Sequence, residues 1–443
     1  MVKVIYISNN LNLEDLLIAN PPSFSIRKDV LAFILNLLTE GLTNYNETSD
    51  YSFIPVSSRQ LKSITNDYKL YMNYLIQNKV LITNNRYYLN EKSKAYNYTA
   101  TYQTGIAPYY ISDATLIRKI IRRDLANFDK SSKLKHLNKW FNDKLQINDS
   151  LAKAQNKKLY QMNLIIDKER AYNKFVHAEM NIEKLKNHKY IFRRDETSFR
   201  IHSNITNLNK KFRKFITYDS QSLVSLDIAN SQPFLASVLF NINFYDKNYK
   251  GLNLYKINHR YYNELIQNRS IFEIRNFLSK INKNSDIHEF VIQSVAGNLY
   301  EYMMDVFNSA DNNNSFTRND IKQMLFSVFF SNNHFRKQTK AKYKDLFSQK
   351  FPDVYKVFAL IKRVNHKRLS IILQTVESYL IIDVLSKKIA DHYPDLPIYT
   401  IHDSVITLKG HEYKIQALFK KVSLEIIGYF PKINPEFWSL NEE

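Results

Sequence analysis

Two aspartates stand where a carboxylate needs a reason. Asp227 lies near the end of the apolar run Leu223-Val224-Ser225-Leu226-Asp227-Ile228, a buried type of strand in which an unpaired carboxylate is costly. An abrupt helix start, Ser231-Gln232-Pro233, follows it, and proline suits a first helical turn because its missing N–H costs nothing there. An aspartate that merely capped this helix would stand nearer Asn230 or Ser231. Asp403 sits in His402-Asp403-Ser404 between two short β-prone runs at 396–401 and 404–408, at or near the bend of a hairpin. Aspartate is common in such bends on structural grounds alone. The preceding histidine adds a second polar group where solvent or a substrate must meet it. Two carboxylates on adjacent strands of a basic chain suggest a divalent-cation site. Two such ions can activate an attacking hydroxyl and stabilise a leaving phosphate. Oxygen ligands suit Mg²⁺ or Mn²⁺, and no cysteine or histidine cluster argues for zinc.

Between the acids, the segment 316–333 supplies Arg318, Lys322, Phe326 and Phe330, each four residues after the last. Steps of four keep these side chains along one slowly winding stripe of a helix. Two cations followed by two aromatics can read a phosphate and then a base. Phenylalanine is plentiful in this chain, so an ordinary amphipathic helix explains the same spacing.

The elements that must position these groups fall into three stretches. In the first, residues 27–42 carry apolar side chains at helical spacing, a short helix follows with Ser57 or Ser58 as its cap, and a longer one starts after Thr65-Asn66-Asp67. Two β-prone runs then flank Asn84-Asn85. Helix, turn, helix and hairpin is the order of a winged helix, a module that enters a DNA groove or docks a protein; it is assigned to 1–110. Residues 111–195 are highly charged and helical in period. They form either a solvated helix pair or a basic, thumb-like arm that follows a phosphate backbone. Residues 196–443 alternate apolar β-like runs with long helices, an α+β pattern. The Asn-rich stretch at 311–315 reads as an exposed loop.

The 443 residues carry 63 Lys+Arg against 42 Asp+Glu, a net charge of +21, which favours a polyanionic partner. Lys, Asn and Ile are also what AT-rich codons encode, so charge alone does not establish nucleic-acid binding. With no cysteine, disulfide scaffolds, thiolate metal sites and cysteine nucleophiles are excluded. No uninterrupted apolar run reaches the 18 or so residues a membrane span needs, and the N-terminus does not read as a signal peptide. The expectation is a soluble, cytoplasmic, nucleic-acid-associated protein with no membrane partner.

The order Asp227, then Arg318/Lys322/Phe326/Phe330, then His402-Asp403 resembles motifs A, B and C of the family A, DNA polymerase I-like enzymes and their relatives the single-subunit phage RNA polymerases. Motif B there reads Arg-x3-Lys-x3-Phe-x3-Tyr, and Phe330 stands in the tyrosine's place. Arg200, Ser203, Asn207, Leu208 and Asn209 resemble the segment upstream of motif A, and Gln374 stands where the family has a glutamine reaching the duplex minor groove. The resemblance covers roughly 195–443. It implies a right-hand-like palm, an antiparallel sheet with helices, using two Mg²⁺ or Mn²⁺ ions. Asp227, Asp403 and the Ile228 carbonyl would hold the metals. Arg318 and Lys322 would hold a nucleoside triphosphate, and Phe326 and Phe330 would flank its base and sugar. Arg200, Gln374 and His402 would contact a primer–template or single-stranded template, and Gln232 would test the sugar. A bulky Gln232 favours deoxynucleotides, whereas Ser404 is more like the RNA enzymes. Motif A departs from the family at Ala229-Asn230-Ser231-Gln232-Pro233, and no acidic set for a proofreading exonuclease is evident before residue 190. The implied activity is a template-directed nucleotidyltransferase of a mobile element, phage or plasmid, a DNA polymerase before an RNA polymerase or primase. A catalytically silent DNA-binding replication initiator is the reading from another class.

Overall fold

Four consecutive residues of the Asp227 strand, Leu223 to Leu226, are buried on both faces, which marks it as a central strand rather than an edge. The computed structural model describes residues 2–41, 53–84, 94–282, 285–310, 315–335 and 342–440. In it the strand Gln221–Ile228 lies inside a six-stranded sheet. The hairpin Tyr399–Ile401/Ser404–Leu408 pairs with one side of it and Ile433–Trp438 with the other. Ile216–Tyr218 and Leu145–Ile147 extend the sheet, and every pairing is antiparallel. Helices and antiparallel strands are mixed, as the α+β expectation requires.

Helices cover this sheet. The helical run Lys367–His392 is long and apolar enough, by length and composition, to cross a membrane, yet 67% of its most apolar window is buried. Leu369, Leu373, Val376 and Leu380 recur at helical spacing and are fully buried in the main core, so its apolarity is that of a core helix. Each such side chain contributes about 1.5–3 kcal/mol. The run changes to a π-helical stretch at Tyr379–Leu385, beginning two residues after Glu377.

A second core lies in the N-terminal part. Its helices Lys28–Gly41, Ser58–Ile64 and Tyr68–Gln77 occupy the three stretches where the sequence places helices, with Ser57 at the cap position of the second. Leu81–Thr83 pairs with Ala95–Tyr98, which also pairs with Ile54–Pro55. The second expected β run, at 86–90, and most of the Asn-rich stretch at 311–315 lie outside the described residues. Lys3–Ser8 pairs with Ile106–Ile111 in a separate ribbon.

The charged segment 111–195 is helical over Ala114–Ala126, Asp149–Ile166 and Lys168–Lys186. The last of these helices serves both cores. Tyr172, Phe175, Val176 and Met180 pack into the N-terminal core, while Ala178, Ile182 and Leu185 pack into the main one.

Candidate active site

The strand register brings the two acids together. Asp227 lies opposite Ser404 in the antiparallel pairing, so Asp403, one residue earlier and in the turn, stands beside it. On its other side Asp227 pairs with Asn434. The turn itself is only His402-Asp403, and His402 takes a φ of 51°. That left-handed conformation at the first residue of a two-residue hairpin turn is usually left to glycine, so the backbone is strained where Asp403 is presented. Asn230, three residues after Asp227, is also left-handed at φ 51°, a conformation asparagine tolerates. Behind that turn, Gly297 (φ 73°) ends the helix Asp286–Ala296, and a Cβ there would come within 2.9 Å of Ala229.

Neither carboxylate has an ion pair among the described residues. Asp227 accepts a 2.6 Å hydrogen bond from the Ser225 hydroxyl. Burial pushes the Asp403 carboxyl above its usual range and the Asp227 charge adds to the rise, while a hydrogen bond from Ser231 opposes both. Arg200 and Arg213 act on the two acids only through space, and two mutually repelling carboxylates with no direct ion pair make a donor set fit for hard divalent ions, which commonly take one or two carboxylates plus phosphate oxygens. Among the described residues no group of three or more His, Cys, Asp or Glu is arranged to hold a metal. The rest of any coordination shell must therefore come from backbone, substrate or water. Ile228, whose carbonyl was expected to help, is buried opposite Ile433.

Beneath the acids lies a group that the sequence reading missed. Glu377, with 1% of its side chain exposed, accepts from Arg200 at 2.8 Å (Nε to Oε1) and 2.9 Å (Nη2 to Oε2). The same carboxylate accepts a 3.1 Å bond from Gln232 Nε2. Arg200 and Gln232, assigned from sequence to primer and sugar, are thus tied to one buried acid. Burial raises the Glu377 carboxyl to about 7, with the Asp403 charge adding to the rise and Arg200 opposing it. The signal was present in the sequence: Glu377 lies on the apolar face of its helix, where a charge demands a partner. Gln374 is half-buried one turn earlier. Desolvation, then the charges of Arg200, His202 and Arg213, lower the His402 imidazole to about 4. The ring is therefore neutral at ordinary pH.

The stripe is a helix, Arg318–Phe330, opened by a reciprocal cap between Thr317 and Asp320. Ile321, Met324, Leu325, Val328 and Phe329 are buried, leaving Arg318, Lys322 and Phe326 exposed and Phe330 half-buried. The Phe326 and Phe330 rings lie 5.6 Å apart, tilted by 39°, and the Lys322 ammonium lies 5.6 Å from the Phe326 ring. Arg318 is held by Glu301 at 2.6 Å and lies 5.0 Å from the Tyr300 ring. The Tyr300 hydroxyl feels the charges of both Arg318 and Asp403, so it lies within electrostatic reach of the start of the stripe and of one of the acids. Tyr300 and Glu301 had no distinguishing mark in the sequence.

The sequence matches no protein-family model and no curated protein. Among solved structures it is similar to the POL domain of Pol1 from M. smegmatis in complex with DNA primer-template and dNTP. The TM-score is 0.39 and the identity 9%, over 73% of this chain and 73% of that one. At that score the likeness does not establish a shared fold, and the functional reading rests on the site's own geometry.

Proposed function

We propose that the protein is a template-directed nucleotidyltransferase, with the main sheet as a polymerase palm and DNA synthesis as its activity. The observation that carries this reading is the register of Asp227 against Ser404, which sets side by side two carboxylates that have no ion pair among the described residues; the link to the cationic and aromatic stripe is Tyr300, which feels the charges of both Arg318 and Asp403. Asp227, Asp403 and the Ile228 carbonyl are the groups that would hold two Mg²⁺ or Mn²⁺ ions. When bound, such ions activate a hydroxyl nucleophile and neutralise developing phosphate charge. The chain's own residues position the reactants. Lys322 and Arg318 bind the triphosphate, with Arg318 exchanging Glu301 for phosphate, and Phe326 and Phe330 offer their rings to the base and sugar. Arg200, Gln374 and His402 face the primer–template, and a neutral His402 donates or accepts a hydrogen bond without adding charge. Gln232, its amide held by Glu377, stands at the sugar.

The N-terminal unit, with its helix–turn–helix and paired strands, fits a winged-helix DNA anchor, and the basic helices after it fit sequence-independent phosphate contacts. The test is primer extension with Mg²⁺ and each nucleotide set, on primed and unprimed templates. Incorporation of deoxynucleotides on a primer is expected. Synthesis from ribonucleotides alone would move the assignment to an RNA polymerase or primase. Template-independent behaviour, or no incorporation of either set, would overturn the reading.

A further inference from the structure

Away from the acid pair, a cavity of about 450 Å³ opens where the two hydrophobic cores meet. The strand Lys3–Ser8, the helices Lys28–Gly41, Ala114–Ala126 and Lys168–Lys186, and the segment at 188–191 all contribute to its wall. None of the residues placed above in the active site lines it. Its charge is unbalanced. Lys3, Arg123, Lys130, Lys184 and Lys189 face two acids, Glu40 and Asp124. Both acids are already engaged: Lys3 pairs with Asp124 at 2.6 Å and Arg123 with Glu40 at 3.0 Å. Lys189 donates to the Val4 carbonyl at 2.5 Å and lies 5.1 Å from the Tyr6 ring, and among the described residues it has no direct ion pair, Asp124 and Glu40 acting on it only at longer range. Among the described residues the Lys184 ammonium makes no hydrogen bond or ion pair, although its backbone carbonyl accepts from the Lys189 N–H at 2.8 Å.

Crowding like charges in a partly dry cleft is unfavourable unless an anion joins them. The protein shows the cost at these two lysines. Burial lowers the Lys189 ammonium to about 8, with Lys3 and Lys184 pushing the same way and Asp124 and Glu40 opposing; burial lowers Lys184 too, with Arg123 adding to the fall and Glu40 and Asp124 opposing it. The remaining wall is aromatic and apolar, with Tyr6, Phe128, Phe141 and Tyr190 among its rings. Lysines with no direct ion pair among the described residues, next to rings, suit a ligand with both phosphate and a planar base. The volume lies within the usual range for a small-molecule site and fits one nucleotide unit rather than a duplex.

We propose that this cavity is a second nucleotide site, separate from the acid pair, in which Lys184 and Lys189 take the phosphates and the surrounding rings take the base. The nucleotide is either free or one unit of a single strand passing the junction of the two cores. The site is independent of whether the acid pair performs nucleotidyl transfer.

Binding of ATP, inorganic phosphate and a short single-stranded oligodeoxynucleotide is measured by calorimetry on the full chain carrying Asp227→Asn and Asp403→Asn, without divalent ions. ATP or the oligonucleotide is expected to bind this protein, and phosphate alone more weakly. Lys184→Gln in the same background is expected to raise the Kd about tenfold or more, the loss of one charge-assisted hydrogen bond. Tighter binding of ATP identifies a free nucleotide, and tighter binding of the oligonucleotide identifies a strand. An unchanged Kd in Lys184→Gln, or phosphate binding as tightly as ATP, overturns the proposal. Should Lys184→Gln fail to fold, photolabelling of the unsubstituted chain with 8-azido-ATP decides. Label on peptides containing Tyr6, Phe128 or Tyr190 supports the site, and label confined to peptides elsewhere overturns it.

Discussion

The acid-bearing sheet and the stripe helix present chemistry in opposite ways. At the sheet, backbone pairing does the positioning: Asp227 and Asp403 are placed by register and by a two-residue turn, and Glu377 beneath them cross-links Arg200 and Gln232 with little exposure to water. On the helix Arg318–Phe330 only the back is fixed. Five apolar residues bury it, while its cations stand in solvent and Arg318 is held by an exposed ion pair. Exposed pairs are worth about 0–1 kcal/mol, so Arg318 can leave Glu301 for a phosphate at little cost. On the proposed reading, chemistry that tolerates no displacement would sit on rigid backbone, whereas capture of a substrate that arrives and departs would be left to side chains that can move.

That contrast can be broken most severely at the acids. Asp227→Ala or Asp403→Ala should lower kcat for primer extension by about 10³-fold, the loss of several kcal/mol of charge stabilisation. Affinity for primed DNA, read by fluorescence anisotropy, should hardly change. Retained extension in either variant refutes the assignment of the site.

The next largest effect belongs to Glu377. Glu377→Ala removes the buried partner of Arg200 and is expected to destabilise the fold by about 3 kcal/mol, measured by urea unfolding. The low end of the range for buried pairs applies because Arg200 is partly exposed. A change below 1 kcal/mol would mean the network does not hold the site together.

On the helix the expectation reverses. Lys322→Ala should leave stability unaltered and raise the nucleotide KM about tenfold. An unchanged KM removes Lys322 from the site, and a large loss of stability erases the contrast between the two regions.

The last effect concerns how the helix is anchored and is spread over a range of pH. Lys362 donates to the carbonyls of Val328 (2.5 Å) and Ser331 (3.2 Å), and Lys344 donates to that of Asn332, so two buried lysines cap the end of the stripe. Burial, then the charge of Lys344, lowers the Lys362 ammonium from 10.5 to about 7. Between pH 7 and 10.5 the unfolded chain holds this proton and the folded protein does not. The contribution to stability should therefore rise with pH across that window, by up to about 1 kcal/mol per pH unit, and be lost as pH falls to 7. Lys362→Met should flatten the slope in thermal melts recorded from pH 7 to 9. An identical slope in the variant removes Lys362 as its source.

Much of the site was legible in one dimension because its signals are local. An acid inside an apolar run, a His-Asp between two short β runs and a four-residue step of cations and rings each follow from the period of a strand or a helix. The helices and the strand Leu81–Thr83 of the N-terminal part were read the same way. Glu377 was not, although an acid on an apolar helix face was visible at 377, because its partner Arg200 is 177 positions away. Nothing in the spacing of Tyr300 and Glu301 marks them as neighbours of Arg318. The sharing of Lys168–Lys186 between two cores was equally hidden, since a charged helical period does not say which of its faces meets which neighbour.

What the amino-acid sequence determined by itself was which side chains could do chemistry and on what kind of element each would sit, because propensity and periodicity are properties of neighbours along the chain. Only the tertiary structure decided which of them meet. Register against a strand about 180 residues away sets Asp403 beside Asp227, and the buried Glu377 ties Arg200 and Gln232 into one cross-linked unit. These are consequences of packing. The stabilisation gained by filling the core selects one strand pairing over its shifted alternatives, and that choice places the acids.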